Sequence, residues 1–149
     1  MQLKDICTTD AVFCERKTTV LQAATIMRHE HVGDLVVVDD ASDERTPVGI
    51  ITDRDIVVKV LGNERDPAHV TAGDIMRTPV VVGSHNEDVS DAIARMRTHR
   101  VRRLPVVGAH GRLIGIVTLD DLLRVLVNDT GALLEVVASE QDQEQRTLR

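Results

Sequence analysis

The sequence predicts an α+β (α/β-like) fold made of two pseudo-symmetric β-α-β-β-α repeats that pack together. Three observations predict it. A shift of 69 residues, reduced to 66 near the end of each half, superimposes one half of the chain on the other. Each half combines short runs of β-branched residues with helical patterns. Each half also ends on the same pattern, where a buried strand meets a helix: GIITDRDI (49–56) and GIVTLDDL (115–122).

The alignment of the two halves gives the extent of each repeat. The dipeptide DI at 5–6 falls on DI at 74–75, and the apolar positions 20, 23 and 27 fall on 89, 92 and 96. The offset then drops because DDASDERTPV is three residues longer than GAHGRLI. A length change limited to a polar segment is typical of a surface turn. We therefore predict repeat 1 over 5–65 and repeat 2 over 74–128.

The elements follow in the same order in both repeats. A short strand (AVFC, PVVV) precedes a helix whose N-cap is Thr19 or Asp88. Two continuous apolar runs come next, DLVVV and VGIIT, then RLPVV and LIGIVT, and their continuity predicts a sheet covered on both faces. A closing helix ends each repeat, and Gly62 terminates the first one. Residues 129–149 are expected to form a C-terminal tail, a short helix over GALLEVVAS followed by a disordered polar end.

The closing helices carry more apolar surface than one contact needs. In RDIVVKVLG and DDLLRVLV the apolar residues cover over half of the helix circumference. A helix that packs on one side needs a stripe of only about 100°. The excess predicts a second contact, with another copy of the chain, and hence a homodimer.

Composition excludes several classes of function. The net charge is −6 and Phe13 is the only aromatic residue, which argues against nucleic-acid binding. No apolar run reaches the roughly 18 residues of a membrane span, and no secretory signal precedes the repeats, so we expect a cytoplasmic protein. Cys7 and Cys14 form no CxxC pair and are expected to be buried thiols.

The repeated motif has two physical explanations. Thr52 with Asp55, and Thr118 with Asp121, have the spacing of a capping box at a helix start. That explanation leaves the glycines at 49 and 115 unaccounted for, because strand interiors disfavour glycine unless a ligand or another backbone approaches. The functional explanation gives the carboxylate to the hydroxyls of a ribose and the helix start to phosphate oxygens. Gly49 and Gly115 would then leave room for a nucleoside.

This repeat resembles the CBS domain, and two in tandem resemble the pair called a Bateman module, here as a stand-alone pair. The resemblance rests on the element order, the two GhhTxxD motifs, the two Asp-Ile starts and HRVRRLPVV, and it covers about 5–127. Such domains bind adenosine derivatives between aliphatic side chains. The resemblance implies ribose binding by Asp55 and Asp121, a hydroxyl contact by Thr52 and Thr118, and an adenine wall at Ile50 and Ile116.

The resemblance also implies that the two sites differ. The second repeat has Arg100, Arg102 and Arg103 before its strand, where the first has HVGD. In the family such a basic pair often serves the site whose aspartate comes from the other repeat. Arg102 and Arg103 are therefore assigned to the Asp55 site, which we expect to bind AMP, ADP or ATP. The Asp121 site is expected to face Asp34 and to stay empty or to bind S-adenosylmethionine.

Enzyme chemistry is not predicted. The sequence has no HExxH, no GxxxxGK[ST] and no GxSxG, and its histidines are scattered, so no metal site and no catalytic residue is assigned. The predicted function is a regulatory adenine-nucleotide-binding module without a required cofactor, acting on an unknown effector protein in trans or by self-association. The alternative is a dimeric interaction protein without ligand, in which both motifs serve only as helix caps.

Overall fold

The computed structural model describes residues 1–147, without the side chains of residues 140, 141, 143–145 and 147. It confirms the mixed fold: two small sheets, each flanked by helices. The strands are β1 (Thr8–Thr9), β2 (Phe13–Glu15), β3 (Asp34–Asp39), β4 (Thr46–Thr52), β5 (Gly83–Ser84), β6 (Arg103–Val107) and β7 (Leu113–Thr118). The helices are α1 (Leu3–Ile6), α2 (Val20–Glu30), α3 (Asp53–Asp55), α4 (Ala72–Ile75), α5 (Val89–His99) and α6 (Leu119–Thr147).

Each repeat contributes one sheet with the same topology. In the first, β2 runs parallel to β3 and β3 antiparallel to β4; in the second, β5, β6 and β7 repeat the arrangement. The helix N-caps are as predicted, since the Thr19 hydroxyl accepts from the Gln22 N–H and the Asp88 carboxylate from the Ser90 N–H. Strand β5 begins at Gly83, after the predicted run PVVV at 79–82.

The first segment of each repeat packs on the other repeat. Strand β1 pairs with β7, so that Thr8 faces Ile116 and Thr9 faces Gly115. Leu3 of α1 is fully buried in the core of the second repeat. In turn, Ala72 and Ile75 of α4 belong to the core of the first. The two repeats are therefore interlocked, and apolar burial on both sides holds them in one orientation.

The helices after the two motifs differ in length. Helix α3 continues into a π-helical turn at Ile56–Leu61, and Gly62 follows as its C-cap. Helix α6 runs without interruption to Thr147, where a short helix and a disordered tail were expected. One glycine, Gly131, costs a helix only about 1 kcal/mol and no proline follows, so nothing in the sequence ends it. The last two residues of the expected tail, 148 and 149, lie outside the described residues.

Within 1–147, no helix has the length and hydropathy that crossing a membrane requires.

Candidate functional site

A cavity of about 310 Å³ opens where the end of β4 meets the residues that precede β5 and β6. One part of its wall is apolar and comes from both repeats: Ile50, Pro79, Val80, Val81 and Val101. The other part is cationic, with the five arginines Arg54, Arg77, Arg100, Arg102 and Arg103. Thr52 and Asp53 complete the wall. An apolar wall beside clustered arginines suits a ligand with a flat apolar part and an anionic part.

Four of the six residues assigned to the first site lie together on this wall. Ile50 and Thr52 come from β4, and Arg102 and Arg103 reach it from the start of β6. The interlocked repeats bring them together, although about 50 residues separate them in sequence. The other two, Gly49 and Asp55, are adjacent to the wall without lining it.

Asp55 is buried behind the cavity and its carboxylate is already engaged. Oδ2 accepts from the Thr52 N–H at 3.0 Å, while the Asp55 N–H donates to the Thr52 hydroxyl at 3.1 Å. Oδ1 lies 3.3 Å from Nη2 of Arg77 and 3.6 Å from Nζ of Lys59. The capping box is therefore complete. The Thr52 hydroxyl keeps its own hydrogen, which it can donate into the cavity.

The two motif glycines are explained by packing and not, as the ligand interpretation expected, by room for a nucleoside. A Cβ on Gly49 would lie 2.6 Å from Sδ of Met76 and 2.9 Å from its Cβ. A Cβ on Gly115 would lie 2.5 Å from the carbonyl oxygen of Thr8. The crossing segments of the chain thus fill the space that the glycines leave.

Asp34 and Arg103 occupy equivalent positions in the two repeats and pair with each other. The Asp34 carboxylate lies 3.2 Å from Nε of Arg103. Burial raises the pKa of Asp34, while Arg103 opposes the rise and Asp53 adds to it. Asp34 therefore has an ion-pair partner in the second repeat, and the expectation that it faces the Asp121 site stays a prediction. Across the pseudo-twofold axis that relates the two repeats, Asp34 pairs with an arginine of the first cavity, because equivalent residues near such an axis approach each other.

The second site has the same local geometry without the same surroundings. The Thr118 N–H donates to Asp121 Oδ2 at 2.9 Å, and the Asp121 N–H donates to the Thr118 hydroxyl at 3.2 Å. Its closest cation is Arg124 on the next helical turn, 3.8 Å from Oδ1. Ile116 and Gly115 pair with β1. Neither the cavity above nor a second cleft around Arg16 and Asp39 is lined by these four residues.

Arg54, Arg77 and Arg100 belong to the cavity but were not assigned to it from the sequence. Arg100 is the left-handed C-cap of α5, with φ of 54°, as His31 is for α2. Arg77 aligns with Thr8 at the 69-residue offset. That alignment could have identified Arg77 from the sequence, because the two repeats differ in charge at this crossing segment as well as before β6.

Metal ligands do not gather in the described part of the chain, where no three His, Cys, Asp or Glu side chains form a group that would hold an ion. Both cysteines are free. Burial raises the pKa of the Cys14 thiol to about 11, and it also raises that of Cys7.

Comparison with known proteins matches the two repeats to one family. The model of the CBS domain matches residues 3–62 and 72–128. The uncharacterized protein MK0525 of Methanopyrus kandleri is 40% identical over 107 residues, which are 72% of this chain and 53% of that protein. The chain therefore spans about half the length of this relative.

Two further proteins are similar in sequence or structure. Hypoxic response protein 1 of Mycobacterium tuberculosis is 40% identical over 108 residues, 72% of this chain and 73% of that protein. A crystal structure of Hypoxic Response Protein I with two coordinated zinc ions aligns with a TM-score of 0.72 at 35% identity, covering 83% and 98% of the two chains. The CBS domain pair of protein MJ0100, in complex with 5′-methylthioadenosine and S-adenosyl-L-methionine, aligns with a TM-score of 0.74 at 26% identity, covering 87% and 98%.

Proposed function

Since the chain belongs to the CBS domain family, we propose that it is a regulatory module whose arginine-lined cavity binds an adenine nucleotide. The observation that carries the proposal is the composition of one cavity wall: apolar residues from both repeats beside five arginines. The similar pair of protein MJ0100 is in complex with adenosyl ligands, which supports the adenosine part. The arginines of this chain support the phosphate part.

The apolar wall suits adenine. Ile50 on one repeat and Val80, Val81 and Val101 on the other present aliphatic groups to the same space. Contact between a flat base and aliphatic groups is favourable because it removes apolar surface from water and adds dispersion contacts. The volume of about 310 Å³ lies at the lower end of the range for small-molecule sites, which favours a mononucleotide over a dinucleotide.

The charge of the wall favours a phosphate ester. Asp53 on the wall, Asp55 beside Arg77 and Asp34 beside Arg103 offset three of the five arginine charges, and Lys59 beside Asp55 adds a sixth cation, so the site keeps a net positive charge. A phosphate monoester carries about −1.5 to −2 at pH 7. The positive charge therefore suits AMP, ADP or ATP, and the small volume favours AMP among them. S-adenosylmethionine, which carries a sulfonium cation, suits the Asp121 site better.

Within the proposed complex, the motif residues have separate roles. Asp55 accepts hydrogen bonds from ribose hydroxyls, Thr52 donates its hydroxyl hydrogen to a ligand oxygen, and Arg102 and Arg103 contact the phosphate. We propose that the Asp121 site stays empty or binds a less anionic adenosyl ligand. Loss of nucleotide binding in Asp121→Ala, with binding retained in Asp55→Ala, would contradict this assignment.

The regulatory step follows from the position of the cavity. A bound nucleotide contacts β4 of the first repeat and the segment before β6 of the second, so it bridges the two. It can shift their relative orientation by its differential affinity for two arrangements. No catalytic step is proposed; the signal passes to an effector protein or through self-association.

Self-association as a homodimer is part of the proposal. Val57, Val58 and Leu61 on the turn after α3 are more than half exposed, as are Leu126 and Val127 on α6. Several exposed apolar side chains on one short segment support an interaction surface, whereas single ones are normal on any protein. A second copy would cover them.

One observation favours the alternative of an interaction protein without ligand. Both capping boxes are complete, with hydrogen bonds of 2.9–3.2 Å, so the threonines and aspartates already have a structural role. This alternative does not account for the arginines of the cavity.

Thermal unfolding with AMP, ADP, ATP and S-adenosylmethionine distinguishes the nucleotide-binding proposal from the alternative without ligand. A ligand at about 100 times its Kd adds roughly 2.7 kcal/mol, a rise in Tm of about 5–10 °C for a chain of this size. We expect the rise with AMP, and its loss in Arg102→Gln. Arg112→Gln, an exposed arginine outside the cavity, is the matched control and should keep it. If none of the four compounds raises Tm, the alternative in which both motifs serve only as helix caps would be favoured.

A further inference from the structure

Arg77 holds the carboxylate that the proposed nucleotide needs. Its Nη2 donates to Oδ1 of Asp55 at 3.3 Å, and Arg77 itself lines the cavity. The other oxygen, Oδ2, is taken by the capping box. With Arg77 in this position the Asp55 side chain is only 3% exposed, so a ribose hydroxyl has little access to Oδ1.

The second repeat lacks this contact. The residue equivalent to Arg77 is Thr8, whose side chain does not reach the motif carboxylate by any hydrogen bond in the described residues. Asp121 is correspondingly more open, with its side chain 20% exposed against 3% for Asp55. Arg77, together with Lys59, therefore distinguishes the first motif from the second.

We propose that Arg77 is a specificity-determining residue. When a nucleotide enters, the Arg77 guanidinium moves from the Asp55 carboxylate to the phosphate, and Oδ1 can then accept a hydrogen bond from the ribose. A nucleoside without phosphate cannot draw the arginine away and meets a blocked acceptor. The inference rests on the proposed function and adds to it the rule by which the site distinguishes a nucleotide from a nucleoside.

The surroundings of Arg77 permit this exchange. Its backbone N–H donates to the Ile50 carbonyl at 2.9 Å, so the residue is fixed beside the apolar wall. Its side chain is 62% exposed and lines the cavity, which leaves the guanidinium free to turn. At 3.3 Å, the bond to Oδ1 is longer than the 2.7–2.9 Å that is normal for a charge-assisted pair.

Asp55 does not become an unpaired buried charge when Arg77 leaves. Nζ of Lys59 remains 3.6 Å from Oδ1 and is itself held by the Ile75 carbonyl at 2.9 Å. The capping box continues to satisfy Oδ2. The cost of the exchange is therefore small compared with that of stripping a buried carboxylate of every partner.

Calorimetric titration with AMP and with adenosine tests the exchange on the full chain. We expect AMP to bind wild type about tenfold or more tightly than adenosine, the usual effect of a charge-assisted hydrogen bond. In Arg77→Gln, AMP should weaken about tenfold, while adenosine should tighten about three- to tenfold because Oδ1 is open. Arg77→Lys should retain most of the preference, and Arg112→Gln should behave as wild type. Melting curves without ligand verify that each variant is folded.

The outcomes are distinct. Opposite changes for the two ligands in Arg77→Gln support the exchange. Weaker AMP binding with unchanged adenosine binding would make Arg77 a simple phosphate contact and overturn the exchange. Unchanged binding of both would remove Arg77 from recognition altogether. If wild type binds neither compound, the proposed function fails and this inference fails with it.

Discussion

Replacement of Gly115 by alanine tests whether the motif glycines serve packing. The new Cβ would lie 2.5 Å from the Thr8 carbonyl oxygen, about 0.9 Å inside the 3.4 Å at which ordinary contact begins, and 3.1 Å from Sγ of Cys7. The obstacle is backbone of β1, so the paired strands must separate. Overpacking of this kind costs about 1–3 kcal/mol, and the lower entropy of the unfolded alanine chain returns about 0.4–1 kcal/mol.

The net expectation is a loss of about 1–2 kcal/mol, or a fall in Tm of about 2–8 °C at this chain length. Urea unfolding followed by far-UV circular dichroism is the appropriate assay, since the chain has no Trp or Tyr to report by fluorescence. Gly131→Ala is the control: a Cβ there meets nothing within 4 Å, so its helix should keep or gain stability. An unchanged or higher midpoint for Gly115→Ala without ligand would refute the packing explanation.

Three further predictions concern the core, a thiol and the surface. Leu3→Ala should lower the free energy of unfolding by about 2–5 kcal/mol, because Leu3 is fully buried in the second repeat. Leu21→Ala, on an exposed face, should change it by under about 0.5 kcal/mol, and the urea midpoints of both variants check this. Burial raises the pKa of Cys14 from 9.0 to about 11, so between those values the thiol stays protonated in the folded chain while it ionises in the unfolded chain, and stability should fall across that pH window. Urea unfolding at pH 8 to 10.5 should show a smaller decline for Cys14→Ala than for wild type, with the remainder due to Cys7; an identical decline would count against this role of Cys14. Light scattering should give wild type twice the chain mass of 16.4 kDa, and Val58→Glu combined with Leu126→Glu should halve the measured mass; a monomeric wild type would exclude the dimer.

The periodicity of the sequence predicted most of the fold because it is a local property. The shift of 69 and then 66 residues, the β-branched runs and the N-caps Thr19 and Asp88 all depend on residues within one element or its equivalent. The capping boxes of both motifs were likewise readable from spacing alone. The extent of α6 was not, since the disordered end expected after GALLEVVAS rested on its polar composition, and polarity by itself does not stop a helix.

Contacts between segments distant in the chain could not be predicted from local sequence patterns. No local pattern says that α1 and β1 pack on the second repeat, and this crossing is what requires Gly115 and Gly49. The pairing of Asp34 with Arg103 depends on the pseudo-twofold axis, which exists only once the repeats have assembled.

By itself, the sequence determined a duplicated α+β unit, two Thr/Asp motifs at helix starts and an arginine run before the strand at 103–107. The tertiary structure decided that Ile50, Thr52, Arg102 and Arg103 share one cavity, that Arg77 joins them, and that Asp55 stands behind it. The physical reason is the same in each case. Local propensity and capping act within a few residues, whereas a cavity wall depends on how whole repeats bury their apolar faces against each other.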